Sequence, residues 1–306
     1  MAKRIIFVHG RAQKPSKDDL QQLWYEAINH GLLRDVGLQA MERFQEINKD
    51  FIYYGDLSND FLQQPTEDIG LRYQSLERLK SYTKQQFNKA SYHALTQAGF
   101  LKEALADIFS APLGKLGVAT PLIKLVAPDM AHYWNGDSYF ASDVRSRLTP
   151  ALKQALDRGD DIMLVGHSLG SMICFDNLWK LSHYGEYRRL YGADKKVNLF
   201  VTLGSPLADE NVKQQLKGSR NRGFKKYPTN IKRWCNFAAE DDFISHDTRV
   251  SNDYDEMSKL GLLKAPIEDF HIYNLTVMEG RSNPHASIGY LIHPDFISVV
   301  NHWINN

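Results

Sequence analysis

Asp161-Ile162-Met163-Leu164-Val165-Gly166-His167-Ser168-Leu169-Gly170-Ser171-Met172-Ile173-Cys174-Phe175-Asp176-Asn177-Leu178-Trp179 is the stretch from which the rest of the chain is read. Residues 161–165 form a short apolar run, the pattern of a buried parallel strand. Residues 171–179 carry one apolar helical face. Between them stands a G-x-S-x-G box, Gly166 to Gly170. A chain of this length contains such a box by chance in about one case in ten, so the flanks decide its meaning. Strand, tight turn with serine at an exposed tip, then helix is the pattern of a nucleophile elbow. Glycines on either side let strand and helix pass closely. The helix N-terminus aims backbone N–H groups at a forming oxyanion.

Outward from this stretch, apolar runs alternate with helical spacing. Ile5–Val8 reads as a strand stopping at His9-Gly10, and Leu20–Leu32 as a helix. Phe51–Tyr54 is a second strand. Ser142–Arg158 is the helix before the central strand. Val197–Leu203, Ile231–Ala238 and His271–Val277 are the strands after it, and Pro294–Ile304 is a closing helix. This order predicts an α/β fold, a mostly parallel central sheet with helices on both faces. Residues 57–135 interrupt the alternation with helical spacing and no strand, and read as a helical insertion. Within it, Ala111–Pro128 mixes apolar residues with Gly and Pro, which suits a cover over the Ser168 pocket, with a fixed structural bundle away from the site as the alternative. One domain over residues 1–306 accounts for all of this.

The chain has 306 residues, 43% of them apolar and 24% charged, with a formal net charge of +1. That balance suits a soluble globular protein and offers no electrostatic case for nucleic acid or a membrane surface. No apolar run reaches the ~18 residues of a transmembrane segment. The short run after Met1 lacks the cleavage site of a signal peptide. A cytoplasmic protein is the expectation, and Cys174 and Cys235, each inside an apolar segment, read as buried reduced thiols. There is no H-E-x-x-H and no paired-cysteine spacing, so no metal and no cofactor is implied.

An elbow serine needs a base, and the base needs an orienting carboxylate. In an open parallel sheet these gather in loops after the strands. The loop after Ile231–Ala238 offers Glu240, Asp241 and Asp242 as acids. The loop after His271–Val277 offers His285 as base. Asp209, one strand earlier, is a further candidate acid, with helix or turn capping the plainer role for any of them. His271 reads as lying at a strand start, the wrong end of the sheet. His293 precedes a proline and reads as structural. His9 and His167 flank the site by position, either as substrate contacts or as packing against the elbow. His246 and Asp247 read as buttresses of the acid loop. Lys213, Lys217, Arg220, Arg222, Lys225 and Lys226 crowd the segment 211–230, which contains no acid. It is either a solvated loop or a collar at the cleft mouth for an anionic acyl substrate.

At these residues the chain resembles the α/β-hydrolase superfamily, in its lipase- and esterase-like branch. The resemblance is carried by Gly166–Gly170, Thr202-Leu203-Gly204-Ser205-Pro206, Asn236–Asp242, Asn283-Pro284-His285 and Gly289-Tyr290-Leu291. It implies Ser168 as nucleophile and His285 as base. It implies Asp242 as acid, because family members commonly carry an apolar residue two positions on, here Ile244; Asp241 is the alternative. It also implies an oxyanion hole built from the backbone N–H of Leu169 and one near Gly10 or Arg11. The resemblance starts at the oxyanion strand, without the leading antiparallel strands of the full fold. The insertion also comes earlier than the lids of many relatives. The implied activity is hydrolysis of a small-molecule acyl ester or thioester through an acyl-enzyme. The alternative is a binding or regulatory protein on a hydrolase scaffold with vestigial catalysis.

Overall fold

The computed structural model describes residues 1–96, 133, 139–192, 195–245 and 249–306. Its centre is a six-stranded sheet in the order β2-β1-β3-β4-β5-β6, with every neighbouring pair parallel. The strands are β1 (Lys3–Val8), β2 (Asn48–Ile52), β3 (Asp161–His167), β4 (Val197–Leu203), β5 (Ile231–Ala239) and β6 (Glu268–Ile272). β7 (Val277–Met278) and β8 (Arg281–Ser282) form a small antiparallel hairpin beyond it.

The inner strands are apolar at consecutive positions because both faces of the sheet are covered, and the period of two divides them between two cores. Ile5, Phe7, Met163, Val165, Cys235 and Phe237 point to one side. There they meet Leu23, Trp24 and Ile28 of helix Lys17–Asp35 and Phe296, Ile297 and Val300 of helix Pro294–Asn305. Ile6, Val8, Ile162, Leu164 and Trp234 point to the other. There they meet Leu148 and Leu152 of helix Phe140–Arg158 and Met172, Ile173 and Phe175 of helix Leu169–His183. Both cysteines are buried and free, Cys174 in one core and Cys235 in the other, so the sheet stands between them.

Two strand expectations need correction. β2 runs over Asn48–Ile52 rather than Phe51–Tyr54. It is an edge strand, so its first residues can be polar; Asp50 there pairs with Arg4 of β1 at 2.8 Å. The last strand covers Glu268–Ile272 rather than His271–Val277. His271 therefore lies next to the carboxyl end of β6, not at its start. Beyond Ile272 the chain leaves the sheet: Asn274 turns its side chain to the carbonyls of Pro284 and Ala286, and Thr276 bonds back to Asn274. The first helix begins earlier than its apolar spacing indicates, at Lys17, where Ser16 Oγ accepts from the backbone N–H of Asp19.

Of the expected insertion at 57–135, the described part is helical: Gly55–Leu62, Gly70–Lys80, a 3-10 turn at Lys84–Gln86, and Lys89–Thr96. The segment Ala111–Pro128 lies outside the described residues.

Candidate active site

The elbow is built from its own sequence. Ser168 takes φ 53° and ψ −126°, a backbone conformation costing about 1–3 kcal/mol in a residue with a Cβ. Its carbonyl accepts from the N–H of Ser171 at 2.9 Å and from the Ser171 hydroxyl at 2.6 Å. Its own N–H donates to Leu203 O at 2.9 Å. The crossing needs glycine: a Cβ at Gly170 would lie 2.3 Å from Val8 O, and one at Gly166 2.7 Å from Ser171 Cα. Leu169 is the first residue of the helix, so its N–H has no acceptor within the helix. Contrary to the expected exposed tip, Ser168 is only 1% exposed. The loop after β1 presses against it at Gly10.

His285 arrives on that second loop. Its Nδ1 lies 3.0 Å from both carboxylate oxygens of Asp242. Asp242 directly follows the turn that closes β5 and is 2% exposed. Its Oδ1 also accepts from the N–H of Ile244 at 3.0 Å, and its Oδ2 from the hydroxyl of Tyr290 at 2.5 Å. Burial is the largest single influence on this carboxyl and opposes ionisation. The charge and hydrogen bond of His285 outweigh it, with help from Tyr290 and Ile244, and the pKa falls below the usual carboxylate value. An ionised Asp242 can only accept, so Nδ1 of His285 carries hydrogen and Nε2 is its basic nitrogen.

The backbone around His285 is clasped from behind. Asn274, fully buried, donates through Nδ2 to Pro284 O at 2.8 Å and Ala286 O at 2.9 Å. Its Oδ1 accepts from the N–H and hydroxyl of Thr276. His167 Nε2 lies 2.9 Å from His285 O. A carbonyl can only accept, so His167 donates there and carries its hydrogen on Nε2. Burial first, with the neighbouring His285 ring and the cations Lys14 and Arg72, outweighs the hydrogen bond to His285 O and keeps the His167 imidazole well below its ordinary pKa, hence neutral.

The loop after β1 makes the opposite wall. A Cβ at Gly10 would lie 2.9 Å from Ser168 Cβ, so only glycine brings this backbone against the serine. His9 accepts from the N–H of Tyr54 through Nε2 at 3.1 Å, which leaves its proton on Nδ1 to donate to Gly10 O at 2.8 Å. It stacks on Tyr54 with centroids 4.0 Å apart, and burial, then Lys14, push its pKa down to about 3. His9 thus steers the Gly10–Arg11 peptide as a neutral ring. Lys14 Nζ donates to the carbonyls of Arg11 and Gln13. Asn59, from the described part of 57–135, exchanges two hydrogen bonds with the Lys14 backbone. A cleft is lined by Gly10, Arg11, Lys14, Arg72, His167 and His285, among others. Arg72 also comes from that interrupting region.

The other candidates lie elsewhere. Asp241 is exposed, with φ 56°, and accepts from Tyr92 Oη at 3.1 Å. Glu240 pairs with His271 at 2.8 Å. Asp209 caps helix Glu210–Gln215, accepting from the N–H groups of Asn211 and Val212. His293 caps helix Pro294–Asn305 through Asp295 N. His246 and Asp247 lie outside the described residues. The basic segment 211–230 does not form a collar: none of its residues lines the cleft. It follows helix Leu169–His183 away from Ser168, with Lys217 N on Asp176, Lys225 O on Trp179 and Tyr227 O on His183. Asp176 is already about 12 Å along that helix. Lys213 is paired with Glu210 and Asp253, which flank the segment in space.

Sequence reasoning passed over Asn274, Tyr290 as a ligand of Asp242, and Asn59. Asn274 and Asn59 sit in otherwise ordinary surroundings, and no spacing rule marks a long-range side-chain clasp. Tyr290 is visible only as a residue of the family-like Gly289-Tyr290-Leu291. No family model matches the chain, and no curated protein or solved structure does. Among the described residues no helix is long and apolar enough to cross a membrane.

Proposed function

We propose that this chain is a serine hydrolase of the α/β-hydrolase type that cleaves a small acyl ester or thioester. The observation that carries the reading is His285 Nδ1 at 3.0 Å from both oxygens of the buried Asp242, on strand-end loops of the sheet that turns at Ser168. Ser168 Oγ attacks the acyl carbonyl and its proton passes to Nε2 of His285. Asp242 holds the productive tautomer and stabilises the imidazolium. The N–H of Leu169 and that of Gly10 or Arg11 bind the oxyanion; one such donor is worth about 3 kcal/mol of barrier. His285 then protonates the leaving group, activates water, and returns the proton to Ser168 as the acid product departs.

The test is a fluorophosphonate probe with p-nitrophenyl esters of rising chain length. Stoichiometric labelling at Ser168, lost in Ser168→Ala together with ester turnover, is the expected result. A native protein that neither labels nor turns over any ester would overturn the reading in favour of a binding protein on this scaffold.

A further inference from the structure

Tyr290 lies in helix Ser287–Leu291, five residues beyond His285, and is fully buried. Its hydroxyl meets three groups: Ala239 N–H, Asp242 and the side chain of Ser245, which acts in the opposite sense to Asp242. The backbone N–H of Ala239 approaches it at 3.0 Å and Asp242 Oδ2 at 2.5 Å. An N–H can only donate, so the phenolic oxygen accepts from Ala239 and its single proton goes to Asp242. The direction of this relay follows from the chemistry of its ends: Ala239 N–H to Tyr290 O–H to Asp242 to His285.

Resting on the serine-hydrolase reading above, we infer that Tyr290 is a positioning residue of the site, a fourth member behind Asp242 that sets the basicity of His285. A carboxylate has limited charge to share among donors. The short bond from Tyr290 draws density to Oδ2 and weakens the hold of Asp242 on the imidazolium. It also pins the carboxylate plane so that both oxygens stay equidistant from Nδ1. The phenol keeps its own proton, because burial and the adjacent carboxylate push its pKa well up. A purely structural tyrosine could satisfy Ala239 alone. Here the same oxygen that ends β5 grips the acid that follows it, so sheet and acid move together.

The groups that face this relay are few. Asp242 meets His285, Tyr290 and the N–H of Ile244. His285 has the neutral His167 ring 4.8 Å away, with Arg11, Lys14 and Arg72 around the same cleft. Tyr290 faces His167 at 6.0 Å and the neutral hydroxyl of Ser245 besides Asp242. None of these changes when the hydroxyl is altered.

Removing the donor makes Asp242 a stronger base, which raises the pKa of His285 and moves the acid limb of activity upward. The experiment measures fluorophosphonate labelling rate against pH in the whole protein. Tyr290→Phe is expected to slow labelling about tenfold and to move the acid limb up by about one pH unit. Site-specific 3,5-difluorotyrosine at position 290 keeps shape and both hydrogen bonds but donates more strongly. It is expected to move the limb downward, and it decides the matter should Tyr290→Phe fail to fold. Superimposable pH profiles for wild type and fluorinated protein would overturn the inference. Absence of labelling in the wild type would instead overturn the underlying hydrolase reading.

Discussion

At the elbow, the carbonyl of Ser168 is satisfied by Ser171, three residues on. At the loop that carries His285, the carbonyls of Pro284, His285 and Ala286 are taken by Asn274 and by His167, the latter 118 residues away. The proposed mechanism brings the two regions together, yet they are held differently. The elbow holds its own carbonyl, and reaches outside only through its N–H to Leu203 of β4 and its glycine contact with β1. The His285 loop has only short regular structure of its own and borrows its shape from the buried donors His167 of β3 and Asn274 after β6, and from the acceptor Asp242 beyond β5. A local element tolerates change at its periphery. A borrowed one fails when a distant donor is lost.

The comparison breaks first at the reacting groups. His285→Ala should lose as much kcat as Ser168→Ala, about 10⁴-fold or more, and the double variant should be little worse, because the two act as a unit. Steady-state ester turnover decides it. If the double variant loses as much again, serine and histidine do not act together and the two regions do not form one site.

The acid loop gives the next effect. Asp242→Asn should cut kcat about 10⁴-fold, because an amide offers its NH₂ where Nδ1–H must donate. Asp241→Asn should cost less than about threefold, since that carboxylate meets Tyr92 rather than His285. Kinetics of both variants with one ester checks the ranking, and the reverse order would move the acid to Asp241.

Asn274→Ala against Ser171→Ala sharpens the contrast directly. Without Asn274 two buried carbonyls and Thr276 lose their partner, so stability should fall by about 3 kcal/mol. Activity should fall about 100-fold as His285 drifts. Ser171→Ala removes one hydroxyl beside an elbow whose backbone bonds remain, and about 1 kcal/mol is expected. Urea unfolding and kinetics of the pair check this. Equal losses would erase the distinction between local and borrowed support.

The smallest effect concerns acid. His293, buried just after helix Ser287–Leu291, has a pKa pushed down to about 3 by burial and then by Arg34. In the unfolded chain it titrates near 6.5. Between those values the unfolded state binds the extra proton, so its contribution to stability is complete above pH 6.5 and is lost steadily as pH falls towards 3. His9 behaves alike at the end of β1. His293→Asn should therefore flatten the dependence of unfolding free energy on pH by about one proton in that window. Urea titrations from pH 4 to 7 read the slope, and an unchanged slope would mean His293 is protonated in the fold.

The α/β class and the parallel order of the inner strands were legible in the sequence, because apolar runs such as Ile5–Val8 and Val197–Leu203 are covered on both faces and carry that fact in every residue. The close crossing at Ser168 was legible too, since glycine is the one residue that permits it. Polar β2 and the true end of β6 were not, because an edge strand and an exit from the sheet are set by neighbours in space. The sequence alone left three carboxylates open beside β5. The fold directs Asp242 to His285, Asp241 to Tyr92 and Glu240 to His271, because one residue along a turn reverses where a side chain points. The basic segment shows the same limit: its charges are plain in the sequence, but only packing along helix Leu169–His183 decides that they run away from the serine. Asn274, His167 and Tyr290 act across long stretches of chain, and a hydrogen bond between residues so far apart leaves no period or spacing to read.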